Sequence, residues 1–298
     1  MTILKTVTPV THDLGGFQVR RAVPSAQCRM VGPFVFVDQF GPARLAAGEG
    51  MDVRPHPHIN LATVTWVFEG GIDHRDSLGT FSTIRPGTVN LMTAGTGIVH
   101  SERSPLTERQ GGAAMYGMQT WLALPDGRED IAPAFEAMAD LPVLTDNNVE
   151  ATVIMGRLWG RSAPTTCYAE TIYADIALGA GGRVPIDGAQ NGGADERAVM
   201  LVGGAATLDG MPLVHYLLYV LKPGEPMLLA SEQGGRVVLL GGEAFSTHRY
   251  VYWNFVSSSR ERIEQAKEDW RAGRFPAIPG DDAEFIPLPD KPKTVSYP

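Results

Sequence analysis

Turn-forming residues recur about every eight to twelve residues along much of this chain, which restricts it to short extended segments. In the first half, Gly70-Gly71 and Pro86-Gly87 separate segments rich in Val, Thr, Ile and aromatic residues, at 61–68, 80–84 and 88–92. A helix would need apolar residues three and four positions apart, and the glycines interrupt that pattern. The first half is therefore predicted to form an all-β barrel or sandwich.

The length of the chain allows two such domains. It has 298 residues, of which 44% are hydrophobic, enough for two cores of about 150 residues each. The second half repeats the turn pattern of the first, with Gly203-Gly204 and then Pro223-Gly224. This repeat predicts a second copy of the β unit. Residues 125–148, rich in turn signals, are predicted to be a linker with at most one helical turn, at 135–139.

Charge and cysteine content exclude several kinds of partner. The net charge is −8, so the surface would repel a phosphate backbone and no direct nucleic-acid partner is expected. The two cysteines, Cys28 and Cys167, are too few for a disulfide framework. The start of the chain lacks a signal-peptide pattern, and no apolar run is long enough to span a bilayer. We therefore expect a cytoplasmic protein without a membrane partner.

One helix is predicted near the C-terminus. Ser258 and Glu261 fit a capping box, in which both side chains satisfy free backbone amides. Ile263, Ala266 and Trp270 then fall on one face, and charged residues occupy the other. Such a helix would dock on the surface by its apolar face, in a structural role.

Two pairs of potential metal ligands stand two residues apart. They are His56 with His58, and His100 with Glu102. On a strand, residues i and i+2 point to the same face, so two adjacent strands could bring all four side chains together. Three imidazoles and a carboxylate suit Fe, Mn, Ni, Cu or Zn, whereas Ca and Mg prefer oxygen ligands.

The spacing around these residues strengthens the metal hypothesis. Gly50 precedes the His-Pro-His motif by five intervening residues, and Gly70 follows it, as in the first motif of the cupin barrel. The run from Gly87 through Gly97 to His100 follows the second cupin motif. The usual cupin Glu after the first motif is absent, and Glu102 could replace it from the neighbouring strand.

Longer runs closely resemble the pirin family: HRDSLG at 74–79, MTAGTGIVHSE at 92–102, VGPFVFVDQFGP at 31–42 and WNFVSSSRERI at 253–263. The resemblance implies a bicupin with a C-terminal helix. Two β-barrel (double-stranded β-helix) domains, at 1–135 and 136–298, would pack face to face. It also implies one metal ion in the N-terminal barrel, held by His56, His58, His100 and Glu102.

The resemblance also implies two alternative functions. Some pirin-like proteins oxidise flavonols as quercetin 2,3-dioxygenases, so O₂ and quercetin or a similar electron-rich aromatic compound are the expected substrates. Fe(II) is the first expectation for the metal, with Mn, Ni, Cu and Zn behind it. Glu102 is then the candidate catalytic residue, accepting the proton of the incoming hydroxyl. Other pirins are non-enzymatic regulators, and this alternative implies a protein partner, a transcription factor or a metabolic enzyme.

The chain departs from the family directly after the His-Pro-His motif. Many relatives have Gly-Phe-Glu there, and this chain has Ile59-Asn60-Leu61-Ala62, so any role of that acidic residue cannot be carried over. The second barrel is predicted to hold no metal. Carrying the four ligand positions forward by the spacing of the repeat places Ala189, Asn191, Val237 and Leu239 there.

The remaining candidates have no predicted function. His74 is expected in a solvated turn, paired with the charges of Asp73, Arg75 and Asp76. Neither cysteine has an obvious activating partner, so both are expected to be inert. No Gly-x-Ser-x-Gly motif supports serine hydrolase chemistry.

Overall fold

The computed structural model describes residues 2–13, 17–186 and 196–290, which form mainly short antiparallel strands. In the first half these are β1 (Ile3–Val7), β2 (Val10–Asp13), β3 (Gln18–Val23), β4 (Phe34–Arg44), β5 (Asp52–His58), β6 (Leu61–Gly70), β7 (Ile72–Asp76), β8 (Phe81–Ile84), β9 (Val89–Thr93), β10 (Ile98–Arg103), β11 (Ala114–Ala123), β12 (Ala134–Met138) and β13 (Val143–Asp146). The predicted segments at 61–68, 80–84 and 88–92 thus form strands, as expected.

The second half continues the pattern. Its strands are β14 (Val149–Met155), β15 (Arg157–Leu158), β16 (Arg161–Ser162), β17 (Thr171–Leu178), β18 (Arg183–Ile186), β19 (Glu196–Gly204), β20 (Thr207–Leu208), β21 (Met211–Pro212), β22 (Leu218–Leu221), β23 (Met227–Ala230), β24 (Gly235–Gly242), β25 (Tyr250–Tyr252) and β26 (Phe255–Ser257). The helices are α1 (Leu106–Gly111) and α2 (Arg260–Arg271). The predicted all-β class with a C-terminal helix is confirmed. Neither helix is long and apolar enough to cross a membrane, within the ranges described above.

The chain forms two compact units. The first barrel comprises Thr11–Val19, Phe36–Ala139 and Ser246–Pro298, and the second barrel comprises Met1–Val10, Arg20–Val35 and Asp140–Phe245. Each barrel therefore collects segments that are far apart in sequence. The domain limits 1–135 and 136–298 stay a prediction.

Each barrel has a large and a small sheet. The large sheets have the strand orders β12-β9-β6-β11-β4-β3-β2 and β1-β22-β19-β24-β17-β14-β13. The small sheets have the orders β5-β10-β7-β8 in the first barrel and β18-β23-β20-β21 in the second. In both small sheets the first strand along the chain pairs with the fourth, and the fourth with the second. The repeat seen in the sequence is therefore a repeat of topology.

The predicted linker contains two unexpected strands, β12 and β13. Residues 135–139 were assigned at most a helical turn, and this prediction is wrong. Ala134–Met138 form β12, which pairs antiparallel with β9, so that Phe135 lies opposite Met92. Pairing with an existing sheet edge supplies the backbone hydrogen bonds that local sequence preference does not reveal. This strand places the ring of Phe135 against the ring of His74, with centroids 4.6 Å apart.

The C-terminal helix forms as predicted, with one correction at its start. The N-cap is Ser259, whose side chain accepts a hydrogen bond from the backbone N–H of Arg262. Ser258, the predicted cap, instead donates its hydroxyl to the Glu129 carboxylate. Ile263 and Ala266 are buried, as expected for the docked face.

Candidate metal centre

Three histidines meet on two adjacent strands of the first barrel. His56 and His58 lie on β5, and His100 lies on β10. The two strands are antiparallel neighbours, with His100 opposite His56 and Ile98 opposite His58. All three histidines are buried, with exposed fractions of 6%, 1% and 1%. The alternation of a strand thus turns the i, i+2 spacing of the sequence into a buried cluster.

The ring nitrogens converge at short distances. The potential ligand atoms of His56, His58 and His100 all lie within 4.8 Å of one another. His58 Nε2 is 3.1 Å from His100 Nε2. The ring centroids of His56 and His100 are 4.3 Å apart. The three imidazoles can therefore bind a metal ion together.

The Nδ1 atoms of the two histidines on β5 are hydrogen-bonded to backbone carbonyls. His56 Nδ1 is 2.9 Å from the carbonyl oxygen of Arg54. His58 Nδ1 is 3.2 Å from the carbonyl oxygen of Asn254. A carbonyl can only accept, so each Nδ1 carries the proton and each Nε2 presents a lone pair. This is the tautomer that binds metal through Nε2.

Burial keeps these imidazoles neutral. It lowers the pKa of His56 from 6.5 to about 4. Burial also lowers the pKa of His58 and His100 well below the usual value, and the neighbouring histidines add to this effect. Two buried neutral nitrogens at 3.1 Å leave at least one lone pair without a donor unless a cation or proton lies between them. The donor set therefore fits a divalent transition metal.

Glu102 lies near this cluster but outside it. The residue is on β10, opposite His74 on β7. Among the described residues, the group whose ligand atoms lie within 4.8 Å of one another contains the three histidines and no carboxylate. Burial raises the pKa of Glu102, although His74 acts in the opposite direction. Its role as fourth ligand stays a prediction.

His74 is part of the site, and its expected place in a solvated turn is wrong. The side chain is buried on β7, with an exposed fraction of 2%. Its Nε2 is 3.0 Å from Asp76 Oδ2, and its Nδ1 is 3.4 Å from His100 Nδ1. The ring of Phe135 stacks on it with centroids 4.6 Å apart. The signal was available in the sequence, because His74 and Asp76 have the same i, i+2 spacing as the predicted ligands.

Asp76 is an anchored carboxylate. Its Oδ1 accepts hydrogen bonds from the backbone N–H groups of Leu78 and Thr80. Burial raises its pKa, but the hydrogen bonds from His74 and from these backbone groups outweigh burial, so the pKa lies below its ordinary value. Asp76 is therefore charged at neutral pH and acts only as an acceptor.

Aromatic side chains line the large sheet beside the cluster. Trp121 on β11 contacts His58 edge to face, with centroids 4.9 Å apart. Phe36 stacks on Trp121 at 3.9 Å with an interplanar angle of 8°. These rings form an aromatic wall next to the imidazoles, which is typical of sites that bind flat apolar ligands.

A row of polar side chains crosses the same sheet two residues further along each strand. Thr65 lies opposite both Asn90 and Gln119 on its neighbouring strands. Its hydroxyl donates to Gln119 Oε1 at 2.6 Å. The side-chain nitrogen of Asn90 is buried and has no hydrogen-bond partner among the described residues. The barrel interior therefore offers amide donors close to the aromatic wall.

The departure from the family sequence has a structural role. Ile59 is fully buried and packs in one apolar cluster with Phe255 and Ile263 of the C-terminal region. Asn60 adopts a left-handed φ of 56°, and its side chain donates to the backbone carbonyl of Glu129 at 2.6 Å. The residues in place of the Gly-Phe-Glu segment thus attach the ligand strand to the C-terminal helix and to the loop after β11.

The C-terminal segment also covers the outer face of β10. Ser101 and Arg103 alternate with His100 and Glu102, and both contact Asp281. The hydroxyl of Ser101 donates to Asp281 at 2.6 Å, and Arg103 contacts it at 2.8 Å. The strand that carries His100 on one face is therefore fixed by charged contacts on the other.

The second barrel has apolar residues at the corresponding places. Val184 and Ile186 on β18 lie opposite Leu229 and Met227 on β23, in the register that pairs His56 and His58 with His100 and Ile98. Three of them are nearly inaccessible, and Met227 is 4% exposed. All four belong to one hydrophobic cluster that fills the second barrel.

The register predicted from the repeat needs a correction. Val237 and Leu239 lie on β24. That strand occupies the place of β11, between the counterparts of β6 and β4, and not the place of β10. The turn pattern misplaced these residues because the loops of the two halves differ in length. Ala189 and Asn191 lie outside the described residues.

Neither cysteine changes this assignment. Cys28 is buried, and burial raises the pKa of its thiol to about 11, which keeps it protonated and unreactive. Cys167 is exposed.

Comparison with known proteins supports the fold and the family. The family model described as Pirin matches residues 16–122, and the one described as Pirin C-terminal cupin domain matches residues 173–276. A "Pirin-like protein" of Caulobacter vibrioides is 44% identical over 283 residues, covering 93% of this chain and 96% of its own length. A protein of Pseudomonas aeruginosa named "Putative quercetin 2,3-dioxygenase PA1205" is 38% identical, covering 97% and 92%.

A solved structure is also closely similar. The crystal structure of a quercetin 2,3-dioxygenase from Acinetobacter baumannii superposes with a TM-score of 0.89 at 34% sequence identity. The match covers 98% of this chain and 97% of that one. The predicted bicupin fold is confirmed by these matches.

Proposed function

Since the chain belongs to the pirin family, we propose that its first barrel is a metal-dependent dioxygenase of quercetin-type flavonols or similar hydroxylated aromatic compounds. His56, His58 and His100 would hold one divalent transition metal, with Glu102 as the fourth ligand. The observation that carries the proposal is the approach of two buried, neutral imidazole nitrogens to 3.1 Å. Such an arrangement is favourable when a cation satisfies both lone pairs.

Fe(II) is our first choice of metal, followed by Mn, Ni, Cu and Zn, because imidazole and carboxylate ligands accept all of these. When bound, the ion supplies a Lewis acid with open coordination positions and, if redox-active, a route for electrons from substrate to O₂. A dioxygenation takes its electrons from the substrate itself, so no separate reductant is required.

The side chains of the barrel would orient the substrate. The stacked rings of Trp121 and Phe36 would supply an apolar aromatic contact for the substrate. The amide groups of Asn90 and Gln119 lie in the adjacent row and suit hydroxyl or carbonyl oxygens of such a ring. An electron-rich aromatic compound with several oxygens satisfies both surfaces at once.

Glu102 would accept the proton of the substrate hydroxyl. A carboxylate ligand can change its mode of coordination or detach from the ion, and its free oxygen can then act as a general base. Removal of that proton leaves an electron-rich phenolate or enolate, the form that reacts with O₂. Glu102 is therefore proposed as both ligand and proton acceptor.

Oxygen uptake tests the proposal. Protein prepared without oxygen is loaded with Fe, Mn, Ni or Cu in turn and mixed with quercetin and O₂. We expect uptake with at least one metal, and its loss in Glu102→Gln, whereas the exposed Glu150→Gln on β14 keeps full activity as the control. No uptake with any metal, with bound metal near one per chain, would overturn the dioxygenase.

A regulator is the second candidate. It is favoured because the three histidines are at most 6% exposed, which leaves little of their surface for a substrate to reach. In that case the metal would stabilise the first barrel, and a transcription factor or metabolic enzyme would be the partner. Recovery of such a partner in a pull-down, together with absent oxygen uptake, would support this alternative. For either function we keep the cytoplasm as the predicted location.

A further inference from the structure

Three buried side chains form a line that ends at one of the proposed ligands. Asp76 Oδ2 is 3.0 Å from His74 Nε2, and His74 Nδ1 is 3.4 Å from His100 Nδ1. The exposed fractions of Asp76, His74 and His100 are 0%, 2% and 1%. Because all three side chains are buried, each of these contacts is a direct one between two protein groups.

With His74 neutral, counting protons along the line assigns both tautomers. The Asp76 carboxylate only accepts, so His74 Nε2 carries a proton. A neutral His74 then has a lone pair on Nδ1, which must accept from His100 Nδ1. The remaining nitrogen of His100, Nε2, presents its lone pair toward His58 Nε2, 3.1 Å away.

Hydrogen bonds and ring stacking also fix the positions of Asp76 and His74. Two backbone N–H groups, those of Leu78 and Thr80, bind the other oxygen of Asp76. Phe135 stacks on His74 with an interplanar angle of 23°, which restricts rotation of that ring. His56 and His58 use fixed backbone carbonyls for the same purpose, whereas His100 depends on a side chain that could adopt either tautomer.

We propose that Asp76 and His74 are positioning residues that hold His100 in the Nδ1–H tautomer, so that its Nε2 is available for metal. The inference rests on the proposed metal site but not on the dioxygenase reaction. It predicts that the identity of one hydrogen-bonding atom on Asp76 controls which nitrogen of His100 can act as a ligand.

Asp76→Asn is the sharpest test, because it changes one oxygen to an N–H donor of nearly the same size. The amide oxygen can keep the hydrogen bonds from Leu78 and Thr80, while its nitrogen donates to His74 Nε2. His74 must then carry its proton on Nδ1 and donate it to His100 Nδ1, which moves the His100 proton to Nε2.

Nitrogen-15 NMR of the metal-free, full-length protein labelled at histidine reports these tautomers directly. We expect His100 as Nδ1–H in the unmodified chain and as Nε2–H in Asp76→Asn. A role limited to packing would not exchange the two signals. Finding His100 as Nε2–H in the unmodified chain, or a doubly protonated His74 donating to it, would overturn the inference.

Metal affinity gives a second readout, measured by competition between the protein and a chelator for Fe(II) or Ni(II). We expect Asp76→Asn to weaken binding by about 10- to 100-fold, as for other changes to groups that orient a metal ligand. Asp73→Asn is the matched control, since Asp73 lies on the same strand and contacts Thr83 instead. Equal affinity of the unmodified protein and Asp76→Asn would contradict the proposal.

His74→Phe provides an independent route if Asp76→Asn does not fold. It keeps a ring against Phe135 but removes the acceptor for His100. We then expect a mixture of His100 tautomers and a smaller loss of affinity than in Asp76→Asn. A single Nδ1–H tautomer in this variant would show that His74 does not control His100. If the unmodified protein binds metal normally but takes up no oxygen, the dioxygenase proposal is overturned, whereas the inference about His100 is unaffected.

Discussion

β5 of the first barrel and β18 of the second occupy the same place in their small sheets, and each pairs with the fourth strand of its set. In the first barrel the paired positions carry His56 and His100. In the second they carry Val184 and Leu229. One backbone arrangement therefore supports a polar cluster in one unit and a closed apolar core in the other.

The comparison shows what a buried histidine requires that a valine does not. Val184 and its neighbours fill the second barrel by contact alone. Each histidine needs a partner for Nδ1, supplied by Arg54, Asn254 and His74. Because an unpaired buried polar group is unfavourable, these partners must be present before the cluster can be stable. The site therefore extends beyond its ligands.

Removing one side chain from each barrel should give opposite results. We expect His100→Ala to lose more than about 90% of its bound metal, because a ligand is removed, while the metal-free chain still folds. Leu229→Ala should keep its metal but lose about 2–5 kcal/mol in free energy of unfolding, because it leaves a cavity in the core. Elemental analysis and urea unfolding measure the two effects.

The unmodified protein should contain close to one metal per chain, all of it in the first barrel. Full metal content in His100→Ala would mean that the ligands are assigned wrongly. A reproducible value near two per chain would mean that the second barrel also binds metal and that the comparison fails.

Part of the site was predictable because strand geometry is local. The i, i+2 spacing of His56 and His58 is sufficient to place both on one face, and glycine turns such as Gly95, with φ of 49°, mark the strand ends. Which strand pairs with which is not local. β12 looked like linker because its stability comes from β9 and not from its own sequence.

His74 was missed for a different reason. The adjacent charges of Asp73 and Arg75 suggested a solvated turn, but both lie on the opposite face of β7, whereas Asp76 shares the face of His74. Asp73 contacts Thr83, and Arg75 packs over the ring of Phe81. The rule that residues i and i+2 share a face, applied to this segment as it was to His56 and His58, identifies His74 and Asp76 as a pair on one face.

The two barrels should also differ in their response to acid. The folded-state pKa of His56 is lowered to about 4, so between pH 6.5 and 4 the unfolded state binds a proton that the folded state does not. Proton binding by the unfolded state therefore lowers the free energy of unfolding as the pH falls below 6.5, and above pH 6.5 the loss is absent. For the metal-free protein we expect His56 to account for about 2 kcal/mol of lost stability between pH 7 and pH 5.

Comparison with His56→Gln isolates this effect, since glutamine does not titrate. Urea unfolding at the two pH values should show a smaller acid loss in the variant by that amount. Val184→Ala, the matching change in the second barrel, should leave the pH dependence unchanged. Equal acid loss in all three proteins would show that His56 is not kept neutral by the fold.

The smallest expected difference concerns arginines on the outer faces. Arg103 is about one-fifth exposed and contacts Asp281, Glu284 and Asp52. Arg183 of the second barrel is 62% exposed, and within the described part of the chain its ion-pair partner is Glu232, 3.5 Å away. We expect Arg103→Ala to lower the free energy of unfolding by about 1–2 kcal/mol and Arg183→Ala by less than about 0.5 kcal/mol.

Thermal and urea unfolding of the two variants measure this difference. Raising the salt concentration should reduce the effect of Arg183→Ala further, because exposed pairs are screened. Equal losses would mean that the ion pair between Arg103 of β10 and Asp281 stabilises the fold no more than an ordinary surface pair.

The carbonyl of Asn254 that orients His58 has a consequence for biosynthesis. The three histidines leave the ribosome early, but this carbonyl and Asp281 are added some 150 to 180 residues after His100. A nascent chain that ends before them lacks the partner of His58 and the cover of β10. The proposed metal site is therefore complete only once the C-terminal region has been synthesised, so we expect the ion to be bound by the finished chain and not by the growing one.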